Sequence, residues 1–133
     1  MLDHPNQITK KFISNLFNRE ELDLDSFDFE PVGSGQVGDC YRINLSWNNL
    51  KDSPVSLIAK CPAEDASSRD TARNLHLYEI EVSFYQHLSS RCSARVPEPY
   101  FIDYDPKTSD GILLLEDMHP AKQIPQMDGC TSD

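Results

Sequence analysis

No run of the 133 residues approaches the ~20 consecutive apolar positions that a membrane-spanning helix needs, and residues 1–24 hold no apolar core of signal-peptide length. No basic cluster occurs either. Twelve Lys and Arg stand against 22 Asp and Glu, a formal net charge of −10, so a partner that demands a positive surface, nucleic acid or an anionic membrane, is not expected. Cys40, Cys61, Cys92 and Cys130 form no CxxC pair and have no histidine at ligand spacing, so neither a zinc site nor a disulfide framework is indicated. Free thiols fit a reducing compartment, and the expectation is a cytoplasmic chain. Asp23, Asp25 and Asp28 lack the glycine and distal glutamate of a calcium loop and read as an acidic lead-in to a strand. At 133 residues and 38% hydrophobic content, one modest core and at most one domain are expected.

What is present is a glycine loop, Gly33-Ser34-Gly35-Gln36-Val37-Gly38, with the pattern GxGxxG. Glycine tolerates positive φ and lets backbone N–H groups approach a phosphate, where they act as small fixed positive poles. The pattern by itself also fits a dinucleotide-binding turn or an ordinary glycine-rich turn. The residues that follow discriminate. A dinucleotide fingerprint opens a helix at its third glycine, whereas Tyr41, Ile43, Leu45 and Trp47 alternate with polar residues, which is strand periodicity. Phe27 and Phe29 alternate into the loop from the other side, so the unit reads as strand, glycine loop, strand.

Upstream, Ile8, Phe12, Ile13, Leu16 and Phe17 form a helical stripe between Asn6 and Asn18. Downstream, Asn48–Pro54 has turn composition, and Val55–Lys60 is a short β-rich run that ends in lysine. Pro62–Arg73 is polar, and Thr71–Leu88 reads as one helix. At ~100° per residue, with Glu81 at zero, Leu77, Tyr78, Phe84, Tyr85 and Leu88 fall within about 60°, and Ile80 and Val82 flank at about 100° on either side. Glu81 is thereby placed at the centre of the apolar face, where an ionised carboxylate needs a cation. Lys60 is the best-placed candidate; the plainer alternatives are a lysine that merely guards a strand edge and a Glu81 at the rim of the face that reaches water. A rigid Val96-Pro97-Glu98-Pro99 connector leads to a strand at Tyr100–Tyr104, a turn through Gly111, and the continuous run Ile112–Leu115, which reads as a strand buried on both faces and halts at Glu116-Asp117-Met118.

Loop, lysine, helix glutamate and terminal strand, in that order, resemble the N-terminal lobe of the protein-kinase-like fold. More narrowly, the chain is similar to the small-molecule phosphotransferases related to aminoglycoside phosphotransferases and choline kinases, in particular their ecdysteroid-kinase-like branch. The resemblance rests on Gly35-Gln36-Val37-Gly38-Asp39 with Tyr41-Arg42, on Ile58-Ala59-Lys60-Cys61-Pro62, on Tyr78 to Tyr85 around Glu81-Val82-Ser83-Phe84-Tyr85 and on Leu113–Met118. It implies an α+β lobe with an antiparallel sheet of about five strands and one long packed helix. Residues 1–24 would be a helical lead-in, 25–118 the ATP-binding lobe and 119–133 a hinge or linker. The family further implies that amides of Gly33, Ser34, Gly35, Gln36, Val37 and Gly38 cover the ATP phosphates, that Lys60 contacts the α- and β-phosphates, and that Glu81 holds Lys60. Cys40 and Ile58 would roof the purine. Leu115 would lead into the hinge, where Glu116 C=O and Met118 N–H pair with the adenine edge.

A kinase-like enzyme also needs a catalytic aspartate in an HxD-type loop and Asp or Asn ligands for Mg²⁺, all in the C-terminal lobe. The 133 residues contain no HxD, and neither Asp117 nor Asp128 stands in such a context. The expectation is therefore half of an enzyme that moves the γ-phosphoryl of Mg-ATP to a hydroxyl of a small molecule, inactive alone, with its C-terminal lobe missing and the acceptor open. A truncated, non-catalytic binding or regulatory module, associating through the apolar underside of its sheet, is the alternative; an unrelated acidic α+β domain is the third reading.

Overall fold

The computed structural model of the chain describes residues 2–33, 37–48 and 52–121. It is an α+β arrangement of five strands and three helices: α1 (Lys10–Leu16), β1 (Leu24–Pro31), β2 (Gly38–Trp47), β3 (Ser56–Pro62), α2 (Ala66–Asn74), α3 (Leu77–His87), β4 (Pro99–Asp105) and β5 (Asp110–Glu116). The strands form one sheet in the order β1-β2-β3-β5-β4, every neighbouring pair antiparallel. None of the described helices is long and apolar enough to cross a membrane.

Strand alternation sorts the sheet into two faces. On one lie Ile43, Leu45, Leu57, Ala59, Ile112 and Leu114, all buried and packed with Ile8 and Ile13 of the N-terminal segment. Phe12 and Phe17 add edge-to-face contacts to Phe101 and Tyr100, each with ring centroids 5.1 Å apart. The helical stripe expected over Asn6–Asn18 is here a 3₁₀ turn at Pro5–Gln7 followed by α1, because Thr9 starts a new helix by accepting the Phe12 N–H at 3.1 Å. The N-terminal segment is thus the cover of this face.

The opposite face carries Cys40, Arg42, Ile58 and Lys60 on β2 and β3, in register as Cys40↔Lys60 and Arg42↔Ile58, and Leu113 and Leu115 on β5. Helix α3 packs here on β4 and β5, with Val82 and Tyr85 against Leu113, Leu115, Ile102 and Tyr104. The β2–β3 part of the face is left as the floor of a cleft. Ile112–Leu115 is buried from end to end, as a strand packed on both sides requires.

Two element boundaries differ from expectation. The single helix read over Thr71–Leu88 is two helices, broken at Leu75 and His76, the latter with a left-handed φ of 55°. The cause lies in β5. Arg69 and Arg73 of α2 both reach Asp110, while on α3 Val82 turns to the sheet beside Gly111 and Tyr78 turns to it beside Gly38 of β2. Arg73 and Val82 are separated by about 180° on a straight helix at ~100° per residue, so one helix could not present both to the Asp110–Gly111 end of β5. The shift also moves the face. Val82, expected at its flank, is buried, and Leu88, expected within it, is 55% exposed. The second difference is at Lys60, which does not end its strand: β3 continues through Cys61 and Pro62.

Candidate functional site: a cleft on the open sheet face

The β1–β2 hairpin turns at Gly33, whose left-handed φ of 74° glycine adopts without the steric cost a Cβ would add, and Val32 N–H donates to Cys40 C=O at 2.9 Å to close the hairpin below it. Ser34, Gly35 and Gln36, expected to supply phosphate-facing amides, lie outside the described residues. The loop rejoins the sheet through Val37 and Gly38. Tyr78 of α3 holds this junction from beneath: its hydroxyl donates to Val37 C=O at 2.6 Å and accepts Ala63 N–H at 3.0 Å. A Cβ on Gly38 would stand 3.2 Å from Cys61 C=O, so the strand crosses close to β3 at that point. Asp39 accepts the Glu64 N–H at 2.7 Å and fixes the turn that leads from β3 to α2.

Lys60 rises from the middle of the cleft floor and pairs with Glu81 of α3, as expected from the sequence. Burial works against the ammonium, but the hydrogen bond and charge of Glu81 outweigh it, and the Lys60 pKa is raised. Glu81 does not sit at the centre of the buried face. The centre belongs to Val82, and the Glu81 side chain, 34% exposed, stands at its edge facing the cleft. Around this pair, Gly38, Cys40, Tyr78, Val82, Gly111 and Leu113 enclose a cavity of about 210 Å³.

On the other side of Lys60 the cleft opens into a slot of about 430 Å³. Cys40 on β2, Ile58 on β3 and Leu115 on β5, paired with Ile58, form its floor, and Gly33, Tyr85 and Met118 also line it. Burial pushes the Cys40 thiol up, and the Lys60 charge offsets only part of that. The expected site residues Gly33, Val37, Gly38, Cys40, Ile58, Lys60, Glu81, Leu115, Glu116 and Met118 therefore all border one continuous cleft. The Glu116 side chain is turned away to Arg95 and to the Glu98 N–H, the latter at 3.1 Å.

Sequence reasoning missed two carboxylates and one hydroxyl. Asp117, set aside as lacking a catalytic context, is a nearly buried anchor: its carboxylate accepts from Arg42 Nε at 2.6 Å, Ser56 Oγ at 2.7 Å and His119 N–H at 3.0 Å. Burial raises its pKa, but those hydrogen bonds hold it below the ordinary Asp range. Alternation with Cys40 does place Arg42 on the cleft face, but nothing local points to Asp117. The other is Asp110, whose two oxygens take Arg69 and Arg73 at 2.6–3.1 Å. Tyr78 was read only as apolar helix face; its hydroxyl partners come from elsewhere in the fold.

An ammonium oriented by a carboxylate, at the junction of a glycine turn and a slot that presents Ile58, Leu115 and Met118, suits a ligand with an anionic end and a largely apolar end. Among the described residues no group of His, Cys, Asp or Glu could hold a metal ion. No family model matches the chain, and no curated protein matches its sequence.

Proposed function

We propose that this chain is the nucleotide-binding half of a kinase-like phosphotransferase, which binds Mg-ATP for transfer of the γ-phosphoryl to a hydroxyl of a small molecule. The observation that carries the reading is the Lys60–Glu81 pair at the point where the apolar slot meets the glycine hairpin. Lys60 Nζ contacts the α- and β-phosphates, and Glu81 keeps that ammonium aimed at them instead of at solvent. The purine lies in the slot against Cys40, Ile58 and Leu115, with Glu116 C=O and Met118 N–H at its edge. Phosphoryl transfer depends on positioning and on charge stabilisation more than on covalent catalysis, and this half supplies the positioning of the donor. No HxD aspartate occurs in these 133 residues, so the role proposed for them is to hold the phosphoryl donor.

The test is titration of the 133-residue chain with ATP, followed by NMR. Saturable shifts at Lys60, Ile58 and Leu115 are expected, and Lys60→Met is expected to weaken the affinity by about tenfold or more, as loss of a charge-assisted phosphate contact does. No saturable binding to the wild-type chain would overturn the reading. An affinity unchanged by both Lys60→Met and Glu81→Gln would favour an unrelated α+β domain.

A further inference from the structure

We propose that Asp117 is a positioning residue for the nucleotide base: clamped by Arg42 and Ser56, it sets the path of residues 116–119 along the mouth of the slot. The inference rests on the nucleotide reading above and adds the side chains that hold the base edge in register.

β5 ends at Glu116, so Asp117 is the first residue beyond the ladder, yet its side chain is only 5% exposed. Oδ2 accepts from Arg42 Nε at 2.6 Å and from Ser56 Oγ at 2.7 Å; Oδ1 accepts from His119 N–H at 3.0 Å and from the second Arg42 nitrogen at 3.4 Å. The partners thus come from β2, from β3 and from the segment's own next turn. Glu116 turns the other way, to Arg95 and the Glu98 N–H, and its own N–H donates to Glu98 C=O at 2.8 Å. Two consecutive carboxylates therefore pull on opposite sides of one peptide unit.

A desolvated carboxylate–guanidinium pair adds little net stability over an apolar replacement, but its fork geometry fixes orientation closely. Here the object oriented is the backbone that borders the slot. Arg42 lies on the cleft floor in register with Ile58, and Arg42, Asp117, Met118 and His119 all line the slot with Ile58 and Leu115. Loosening the clamp at the Arg42↔Ile58 level frees the slot's mouth while leaving the Lys60–Glu81 pair, two residues along the ladder at the Cys40↔Lys60 level, in place.

The experiment compares ATP with inorganic tripolyphosphate, which carries the phosphates without a base, in NMR titrations of the 133-residue chain. Asp117→Asn, nearly isosteric, is expected to weaken ATP by about tenfold or more while tripolyphosphate changes by less than about twofold; Arg42→Lys, which keeps the charge but loses the fork, falls between wild type and Asp117→Asn. Lys60→Met weakens both ligands. Should Asp117→Asn fail to fold, Arg42→Lys and Ser56→Ala carry the comparison, with the same split at a smaller factor. Equal weakening of both ligands would make the clamp merely structural, and unchanged ATP affinity would remove its role; either result leaves the nucleotide reading standing. Absence of ATP binding to wild type overturns both.

Discussion

Val82 of α3 sits so closely over Gly111 of β5 that a Cβ built on the glycine would lie 3.0 Å from Val82 Cγ2 and 3.3 Å from the Tyr104 ring. The approach seats the helix that carries Glu81, one residue before Val82, at the height from which Glu81 reaches Lys60. Gly111→Ala must push that seat outward, since Val82 and Tyr104 are both packed against the sheet. The expected cost is about 1–3 kcal/mol of stability, the usual range for overpacking a filled core. Urea denaturation measures it, and loss of the Lys60–Glu81 contact should appear as altered chemical shifts at both residues. An unchanged midpoint would show that the helix has room to move.

The Lys60–Glu81 pair predicts the reverse pattern. Both side chains are about a third exposed, so solvent screens the attraction and the pair should contribute no more than about 1 kcal/mol to folding. Glu81→Gln should therefore leave the denaturation midpoint nearly unmoved while weakening ATP, because its effect is on the aim of the ammonium. Equal loss of stability and affinity would assign the pair to the fold.

Tyr78 is a point where a single oxygen matters. Tyr78→Phe keeps the ring but strips Ala63 N–H and Val37 C=O of their partner, and Ala63 is buried. Leaving such a group unpaired costs about 1–3 kcal/mol. Amide exchange at Ala63 should accelerate in the variant more than exchange in the middle of β5. Unaltered exchange would mean that water replaces the hydroxyl.

Acid should unpick the α2 anchor. Burial raises the Asp110 pKa, but the hydrogen bonds and charges of Arg73 and Arg69 dominate and bring it from 3.8 down to about 2. Because the folded-state value is the lower one, the stabilisation is complete above about pH 4, shrinks as pH falls from there, and is gone below about pH 2; its size is about 2 kcal/mol. The stability difference between wild type and Asp110→Asn, measured in urea from pH 6 to pH 2, should narrow over that window. A difference independent of pH would show that Asp110 acts through shape alone.

How much of this was legible before folding depends on the range of the interaction. The alternation of Tyr41, Ile43, Leu45 and Trp47 gave β2 its two faces, and the unbroken run Ile112–Leu115 marked the strand buried on both sides. Helical periodicity brought Glu81 to the sheet side of its helix, where a carboxylate calls for a cation, and the pairing with Lys60 across 21 residues followed, although the centre of the buried face fell to Val82 and left Glu81 at its edge. These are local periods joined to one electrostatic requirement, and the sequence determines them by itself. The break between α2 and α3 could not be read that way, because its cause, Asp110 beside Gly111, arrives only when β5 enters the sheet between β3 and β4. The same holds for Asp117, whose partners Arg42 and Ser56 lie 75 and 61 residues earlier. A carboxylate's partner is chosen by which strands become neighbours, and strand order is a property of the tertiary structure alone.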